Sequence, residues 1–451
     1  MKHAHFIGIG GISMSSLACI LKSRGYHVTG SDIKESAVTR SLEEQGISVA
    51  IGQRAENIHS GMDVAVFTAA VHEDNPELIA ARQLVPRVIE RSVLLGDLMD
   101  EYECSIGIAG THGKTSTSTM LSYIFMETEK DPTITIGGIL ENLQSNYRIG
   151  HSPYFIAEAC EYCDSFLHFH PQVGIILNVE AEHLDYFGTY ERMVESFRKY
   201  ADGIKDGGCL VLNHEALDLF PNYDKDLITV SLSDPAADVH ATHFRPSQDH
   251  MGNSFDCIYK GQNLGQLCLH VPGTHLVFDA LCAVAAALWM GVDFEQIHSG
   301  LEKYRGPKKR FEYKGMVNGF SIIDDYAHHP TEMKATIMAA REVVQRELYV
   351  VFQPHTFSRT KAFFDDFVSA LSLADHIVLA DIYSASRETD PGDIHSRDIA
   401  NALLAQGKDA YYFGSFEEIQ KFLLKKCCPQ DLLITMGAGD VVIIGEKLLS
   451  M

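Results

Sequence analysis

The stretch that most restricts what this chain can become is Ile106-Gly107-Ile108-Ala109-Gly110-Thr111-His112-Gly113-Lys114-Thr115-Ser116-Thr117. An apolar run passes into a glycine turn, then Lys-Thr, then the helix-compatible Ser118-Thr119-Met120-Leu121-Ser122-Tyr123-Ile124, the order of strand, phosphate loop and helix. Glycines let backbone N–H groups turn toward a polyphosphate, and the helix start adds a positive dipole end. Lys114 can offset phosphate charge, and the Thr115 hydroxyl suits Mg²⁺. An ATP site is therefore expected at Gly110, Thr111, His112, Gly113, Lys114, Thr115 and Ser116. The loop departs from G-x-x-x-x-G-K-[ST] in one place, where Ile108 replaces the first glycine.

At 451 residues the chain exceeds what one hydrophobic core serves, so two or three domains are expected, and 46% hydrophobic residues suffice to build them. No apolar run approaches the roughly 18 residues of a membrane helix, and Met1-Lys2-His3-Ala4-His5 leads straight into a strand without a signal peptide. A cytoplasmic protein without membrane insertion is the expectation. The ten cysteines stand singly apart from Cys427-Cys428, and Cys160 and Cys163 have no second Cys/His pair to complete a zinc site, so reduced thiols are expected. With 37 basic and 60 acidic residues the formal charge is −23, which argues against a nucleic-acid partner or an anionic membrane surface. An anionic substrate must be met by local basic groups.

The N-terminal residues read as a dinucleotide-type βαβ start. Ala4-His5-Phe6-Ile7 is a strand, Gly8-Ile9-Gly10-Gly11-Ile12-Ser13-Met14-Ser15 a glycine turn, Ser16 to Arg24 a helix, and Tyr26 to Asp32 a second strand ending in a carboxylate. This fits a nicotinamide cofactor or another diphosphate ligand equally well, with Asp32 placed for a ribose hydroxyl. Asp63 to Phe67 is a further strand. Thr68 and the turn to Asn75-Pro76-Glu77 sit at its carboxyl end, where ligands bind or where ordinary turn chemistry operates.

Beyond the phosphate loop, Tyr154-Phe155-Ile156-Ala157-Glu158 delivers an acid at a strand end. Val173 to Val179 is followed by Glu180-Ala181-Glu182-His183-Leu184-Asp185. Glu158 and this cluster supply the groups that a Mg²⁺–nucleotide site needs opposite Thr115. Short strands from Gly207 to about Leu269 are expected to extend the same sheet. His275 opens an apolar helix, Leu276 to Met290, as a cap, a packing residue or a nucleotide contact.

Gly306-Pro307-Lys308-Lys309-Arg310-Phe311 reads as a linker whose arginine can reach phosphates. Two strands then end in polar loops, Asp324-Asp325-Tyr326-Ala327-His328-His329-Pro330-Thr331-Glu332 and Gln353-Pro354-His355-Thr356-Phe357-Ser358-Arg359-Thr360. His, Asp and Arg at successive strand ends describe an anion or amino-acid pocket. Strands at His376 to Ala380 and Asp431 to Met436 complete a third α/β unit. A kinase needs no such unit, whereas an ATP-driven ligase joining two substrates does.

Five of these segments, taken in order, resemble the Mur ligases: Gly8 to Ser15, Gly110 to Thr115, Asn178 to Asp185, Asp324 to Glu332 and Gln353 to Thr360. The resemblance runs over essentially the whole chain. It implies an α/β protein of three-domain Mur ligase architecture: a Rossmann-like UDP-sugar domain at 1–98, a central P-loop ATP and Mg²⁺ domain at 99–305, and a Rossmann-like amino-acid domain at 306–451. It further implies ATP-dependent joining of L-alanine to UDP-N-acetylmuramate through an acyl phosphate, in peptidoglycan precursor synthesis. By match, Gly10, Ser15, Asp32, Thr68 and Ala69 would line the UDP site, Lys114 would act on phosphate, Thr115 and Glu158 would hold one Mg²⁺, and His183 would sit at a second. Tyr326, His329, His355 and Arg359 would receive the amino acid. Arg310 and Asp324, with His275, would approach the nucleotide as the domains close.

Four positions depart from the family pattern. Leu276 and Asp279 replace asparagines on the nucleotide-side helix, Glu182 replaces an aspartate, and Glu195-Ser196-Phe197-Arg198-Lys199 offers no match to the lysine that other branches carbamylate. A recycling ligase that attaches a tripeptide to the same UDP-sugar, an inactive nucleotide-binding paralogue and a nicotinamide dehydrogenase remain alternatives, and the protein is expected to be a monomer or homodimer.

Overall fold

The computed structural model describes residues 2–140, 143, 145–246, 252–306, 310–384, 388 and 390–450. The expected linker residues Pro307, Lys308 and Lys309 lie outside them, as does the side chain of Asp185. The chain divides into two compact units, one of residues 1–242, 256–267 and 278–303, the other of residues 243–255, 268–277 and 304–451.

Strand–helix alternation from the first residues gives a five-stranded sheet in the order Ser48–Ile51, His27–Asp32, His3–Ile7, Val64–Phe67, Arg87–Glu90, with every pair parallel. The strand His3–Ile7 lies at the switch of order, so its carboxyl end opens into the crevice where doubly wound sheets take ligands. Buried strands of this kind read as continuous apolar runs, and Ala4, Phe6, Ile7, Ala65 and Val66 are fully enclosed.

The phosphate-loop strand Cys104–Ala109 is central in a ten-stranded sheet, paired in parallel with Val173–Ile176 on one side and Tyr154–Glu158 on the other. The strands Cys209–Asn213, Asp226–Val230, Val239–Pro246, Asn253–Tyr259 and Gln262–Leu269 continue it in that order beyond Val173–Ile176, as the sequence predicts. Its opposite edge, Thr133–Leu140 paired antiparallel with Ser145–Arg148, was not foreseen.

In the second unit the order is Glu312–Val317, Phe320–Asp325, Leu432–Met436, Leu348–Phe352, His376–Leu379, Asp409–Tyr412, parallel except at the first pair. Alternate side chains go to opposite faces: Ile323, Val350, Phe352 and Ile434 join one core, while Ile322, Tyr349, Val351 and Leu433 join another. All ten cysteines are free thiols. Among the described residues no helix is long and apolar enough to cross a membrane.

Candidate active site

The glycine turn after His3–Ile7 is shorter than its sequence suggests. Gly8 takes φ +85, Gly11 already caps the helix in extended backbone, and the helix runs Ile12–Ser23 instead of starting at Ser16. Gly8 is glycine for its left-handed backbone and Gly10 for the close approach of Asp32, while the later Ile12-Ser13-Met14-Ser15 is ordinary helix. Ser15 is therefore a first-turn residue, buried, with its hydroxyl donating to Ile12 O at 2.8 Å. Asp32 is occupied by the chain itself, since its carboxylate accepts from Gly10 N at 2.8 Å and from Ile33 N at 2.8 Å. Thr68 is half-buried with its methyl against Gly8, and Ala69 is exposed.

Beneath this turn runs a buried polar chain that sequence reading missed. His3 Nε2 and His5 Nδ1 lie 2.9 and 2.8 Å from Thr29 Oγ1, and His5 Nε2 lies 2.7 Å from Glu77 Oε1. Ser31 donates to Glu77 Oε2 at 2.7 Å, and the Ser31 carbonyl accepts from Gly8 N and Ile9 N, both at 2.9 Å. Glu77, fully buried, thus holds the turn through Ser31. Burial, then the neighbouring His27 and His59, push the His3 imidazole down to about 4.

At the second turn the expected helix begins at Lys114, with Gly110 at φ +142 and Gly113 capping it at φ +83. Asn178 clamps the loop both ways: its Oδ1 accepts from His112 N at 2.8 Å, and its Nδ2 donates to His112 O at 3.2 Å. Lys114 Nζ donates to the carbonyls of Gly110 and Thr111 and to Glu161, at 2.9 Å to Oε2. Burial works against the Lys114 charge, but Glu161, Cys160 and Glu158 together outweigh it and hold the ammonium above its ordinary value.

Glu161 ties together residues that the sequence named separately. It is buried, pairs with Lys114, and its Oε1 lies 3.8 Å from His183 Nε2. Its signal was faint, an acid three residues beyond Glu158 that precedes an irregular 3₁₀ segment, Tyr162–His168, where Cys163 and Asp164 adopt left-handed backbone. Glu158 itself accepts from Ser118 Oγ at 3.0 Å and Gly137 N at 2.7 Å, both through Oε1. His183 sits at φ +52 with its ring 4.8 Å from Tyr162. Glu182 lies 3.8 Å from His112 Nε2, so this longer acid faces the loop histidine. Among the described residues no cluster of three His, Cys, Asp or Glu side chains forms a closed metal cage. A cation that keeps water and phosphate ligands needs none, and the hard oxygens of Thr115 and Glu158 fit Mg²⁺.

In the second unit Arg310 Nη1 lies 3.2 Å from Glu332 Oε1, and its guanidinium lies over the Tyr326 ring at 5.7 Å. Glu332 also faces His328, Nδ1 to Oε2 at 3.5 Å. His328 and His355 rings stand 5.8 Å apart, and Arg359 Nη1 is 3.4 Å from His355 Nδ1. Tyr326, His355 and Arg359 therefore share one polar cluster, to which His328 and Glu332 must be added. His329 is placed differently: it caps the helix Pro330–Val343 through Thr331 N and packs against Phe363 at 4.8 Å. Asp324 lies inside the sheet, buried, accepting from Thr435 Oγ1 at 2.7 Å, and burial pushes its carboxyl up to about 6. Of the two aspartates it is Asp325 that joins Glu332 near Arg310, and it accepts from Phe311 N and Ala327 N, both at 2.7 Å. His275 is exposed, at the first turn of the helix Thr274–Trp289. A cavity of about 380 Å³ opens at the carboxyl ends of the strands, lined by Gln353, Asp381, Tyr383, Glu417 and Asp440 among others.

Three domain models match successive parts of the chain: "Mur ligase family, catalytic domain" at residues 3–103, "Mur ligase middle domain" at 108–287 and "Mur ligase, glutamate ligase domain" at 309–439. A curated protein of Agathobacter rectalis, UDP-N-acetylmuramate–L-alanine ligase, is 50% identical over 99% of this chain and 97% of its own length. The crystal structure of UDP-N-acetylmuramate-alanine ligase from Thermotoga maritima superposes with a TM-score of 0.83 at 28% identity, covering 100% of this chain and 99% of that one. A murein peptide ligase from Psychrobacter arcticus shares the fold, at a TM-score of 0.69 and 24% identity over 100% of this chain and 98% of that one.

Proposed function

The chain belongs to the Mur ligase family, and from that premise we propose that it joins L-alanine to the lactyl carboxylate of UDP-N-acetylmuramate. ATP is split to ADP and phosphate, and the product is the peptidoglycan precursor UDP-N-acetylmuramoyl-L-alanine. The observation that carries this choice is the full-length match to a relative bearing that name. A phosphate loop alone would serve many chemistries.

We assign residues 1–98 to the UDP-sugar, 99–305 to ATP and 306–451 to the amino acid. The N-terminus of the helix Ile12–Ser23, which the turn Gly8–Gly11 presents, suits the UDP diphosphate, with Ser15, Thr68 and Ala69 around it. In the central part Lys114 leaves Glu161 for the nucleotide phosphates and offsets the repulsion between the γ-phosphate and the attacking carboxylate. Mg²⁺ bound at Thr115 and Glu158 would neutralise phosphate charge, and His183, 3.8 Å from the Lys114 partner Glu161, would sit at a second metal. The deprotonated amine of L-alanine then attacks the acyl carbon of the acyl phosphate, forming the amide C–N bond as the acyl C–O bond breaks and phosphate leaves. Arg359, steadied by His355, suits the amino acid's carboxylate, while the acid-lined cavity beyond Tyr383 does not.

Phosphate release from ATP tests this reading. It should require UDP-N-acetylmuramate and L-alanine together and fall by about a thousandfold or more in Lys114→Ala. Release with a tripeptide in place of L-alanine would assign the recycling reaction instead, and silence with either would mark an inactive paralogue.

A further inference from the structure

The helix Thr274–Trp289 is apolar along almost its whole length and carries one acidic residue, Asp279. That carboxyl is 4% exposed. It lies directly on the phosphate loop, since a Cβ built on Gly113 would stand 2.6 Å from Asp279 Oδ1. Gly113 is the left-handed cap from which the Lys114 helix starts.

The groups around Asp279 leave it without a counter-charge. On the loop, Lys114 directs its ammonium to Gly110 O, Thr111 O and Glu161. His112 faces Glu180 and Glu182 at 3.7 and 3.8 Å. The segment after Val173–Ile176 presents Leu177 to the same space, and the Asn178 amide beyond it is engaged with the His112 backbone. On its own helix stand His275, one turn before, and the buried Cys282, whose thiol is pushed up by burial and then by Asp279 itself. Burial alone raises the Asp279 carboxyl well above the ordinary carboxylate range.

A carboxylate in this position would face the anionic phosphates that the loop is built to hold, in a site where little solvent screens the repulsion. The neutral acid has no such conflict. It also carries what a carboxylate lacks, one O–H donor beside one acceptor oxygen.

We propose that Asp279 enters the nucleotide complex as the neutral carboxylic acid and donates a hydrogen bond to an acceptor atom of the bound nucleotide, which makes nucleotide affinity proton-linked. This rests on the reading of Gly110 to Ser116 as the ATP site. Above the acid's own pKa in the free protein, one proton is taken from solvent for each nucleotide bound. Affinity then falls about tenfold per pH unit. Asp279→Asn keeps shape, donor and acceptor but cannot ionise, so its affinity does not share that fall.

ADP titrated calorimetrically into the full chain from about pH 7 to about pH 9, in buffers of different ionisation enthalpy, reads both affinity and proton uptake. The wild type should weaken with rising pH and take up protons, and Asp279→Asn should do neither. An infrared carboxylic-acid band should be present in the wild-type ADP complex and lost in the variant. The band in the wild type needs no variant to be informative. ADP binding to both proteins with one pH dependence and no acid band overturns the proposal while leaving the ATP site intact. Failure of ADP to bind either folded protein overturns the ATP site itself, and this inference with it.

Discussion

Two glycine turns follow two central parallel strands in the first unit, and they are finished differently. At Gly8–Gly11 the N–H groups are spoken for within the chain, Gly8 N and Ile9 N by the Ser31 carbonyl, Gly10 N by Asp32 and Gly11 N by the Gly8 carbonyl, and no lysine follows. At Gly110–Gly113 a lysine heads the helix and a buried glutamate holds it in place. The first turn leaves the N-terminus of the helix Ile12–Ser23 and its dipole, enough to seat a diphosphate that does not react. The second adds a mobile cation whose resting partner is internal, which is what a phosphate that changes charge during reaction requires.

Alanine at each turn gives the largest separation between them. Gly113→Ala forces a side chain into left-handed backbone and into Asp279 Oδ1, so ADP affinity and phosphate release should drop on the order of a hundredfold. Gly10→Ala places its Cβ 2.7 Å from Asp32 Oδ2 and should raise the KM for the UDP-sugar by about tenfold while leaving ADP affinity unchanged. Equal effects of both variants on both ligands, by calorimetry and initial rates, would erase the distinction.

Glu161→Gln sharpens it at smaller scale. Lys114 would keep its two carbonyl partners but lose its counter-charge, at a cost of about 1–3 kcal/mol. The thermal midpoint should fall, and ATP should raise it more than in the wild type because phosphate supplies the missing charge.

The smallest effect lies under the first turn. His3 is depressed to about 4, so its contribution to stability is complete above the unfolded value near 6.5 and is lost as pH falls toward 4. Acidification from about pH 7 to about pH 5 should lower the midpoint by about 2–4 °C and speed amide exchange in the strand His3–Ile7 more than in Cys104–Ala109. His3→Gln should remove most of that difference.

What the sequence disclosed followed physical periodicity. Apolar runs located the central parallel strands but not Ser48–Ile51, Arg87–Glu90, Thr133–Leu140 or Asp409–Tyr412, and the helix after the phosphate loop begins at Lys114, ahead of the helix-compatible stretch. The first helix was read four residues late because Ile12-Ser13-Met14-Ser15 was counted with the glycine turn, though the backbone is already helical from Ile12. Adjacent acids were harder. Asp324 and Asp325 alternate across one strand, and nothing in their order says which faces Thr435 and which faces Phe311. Glu161 and the His3–Thr29–His5–Glu77 chain carry no local signature, since each exists only through partners distant in sequence.

The reciprocal amide of Asn178 fixes the shape of the phosphate loop during folding, before any nucleotide arrives. The loop is thus a cast mould, not a closing hand. Its ordering entropy is spent in making the protein, so more of each phosphate contact is left for affinity. A competitive inhibitor must fit that preset contour as found, and a compound that relies on the loop yielding will meet the stiffness of the strand Val173–Ile176 behind it.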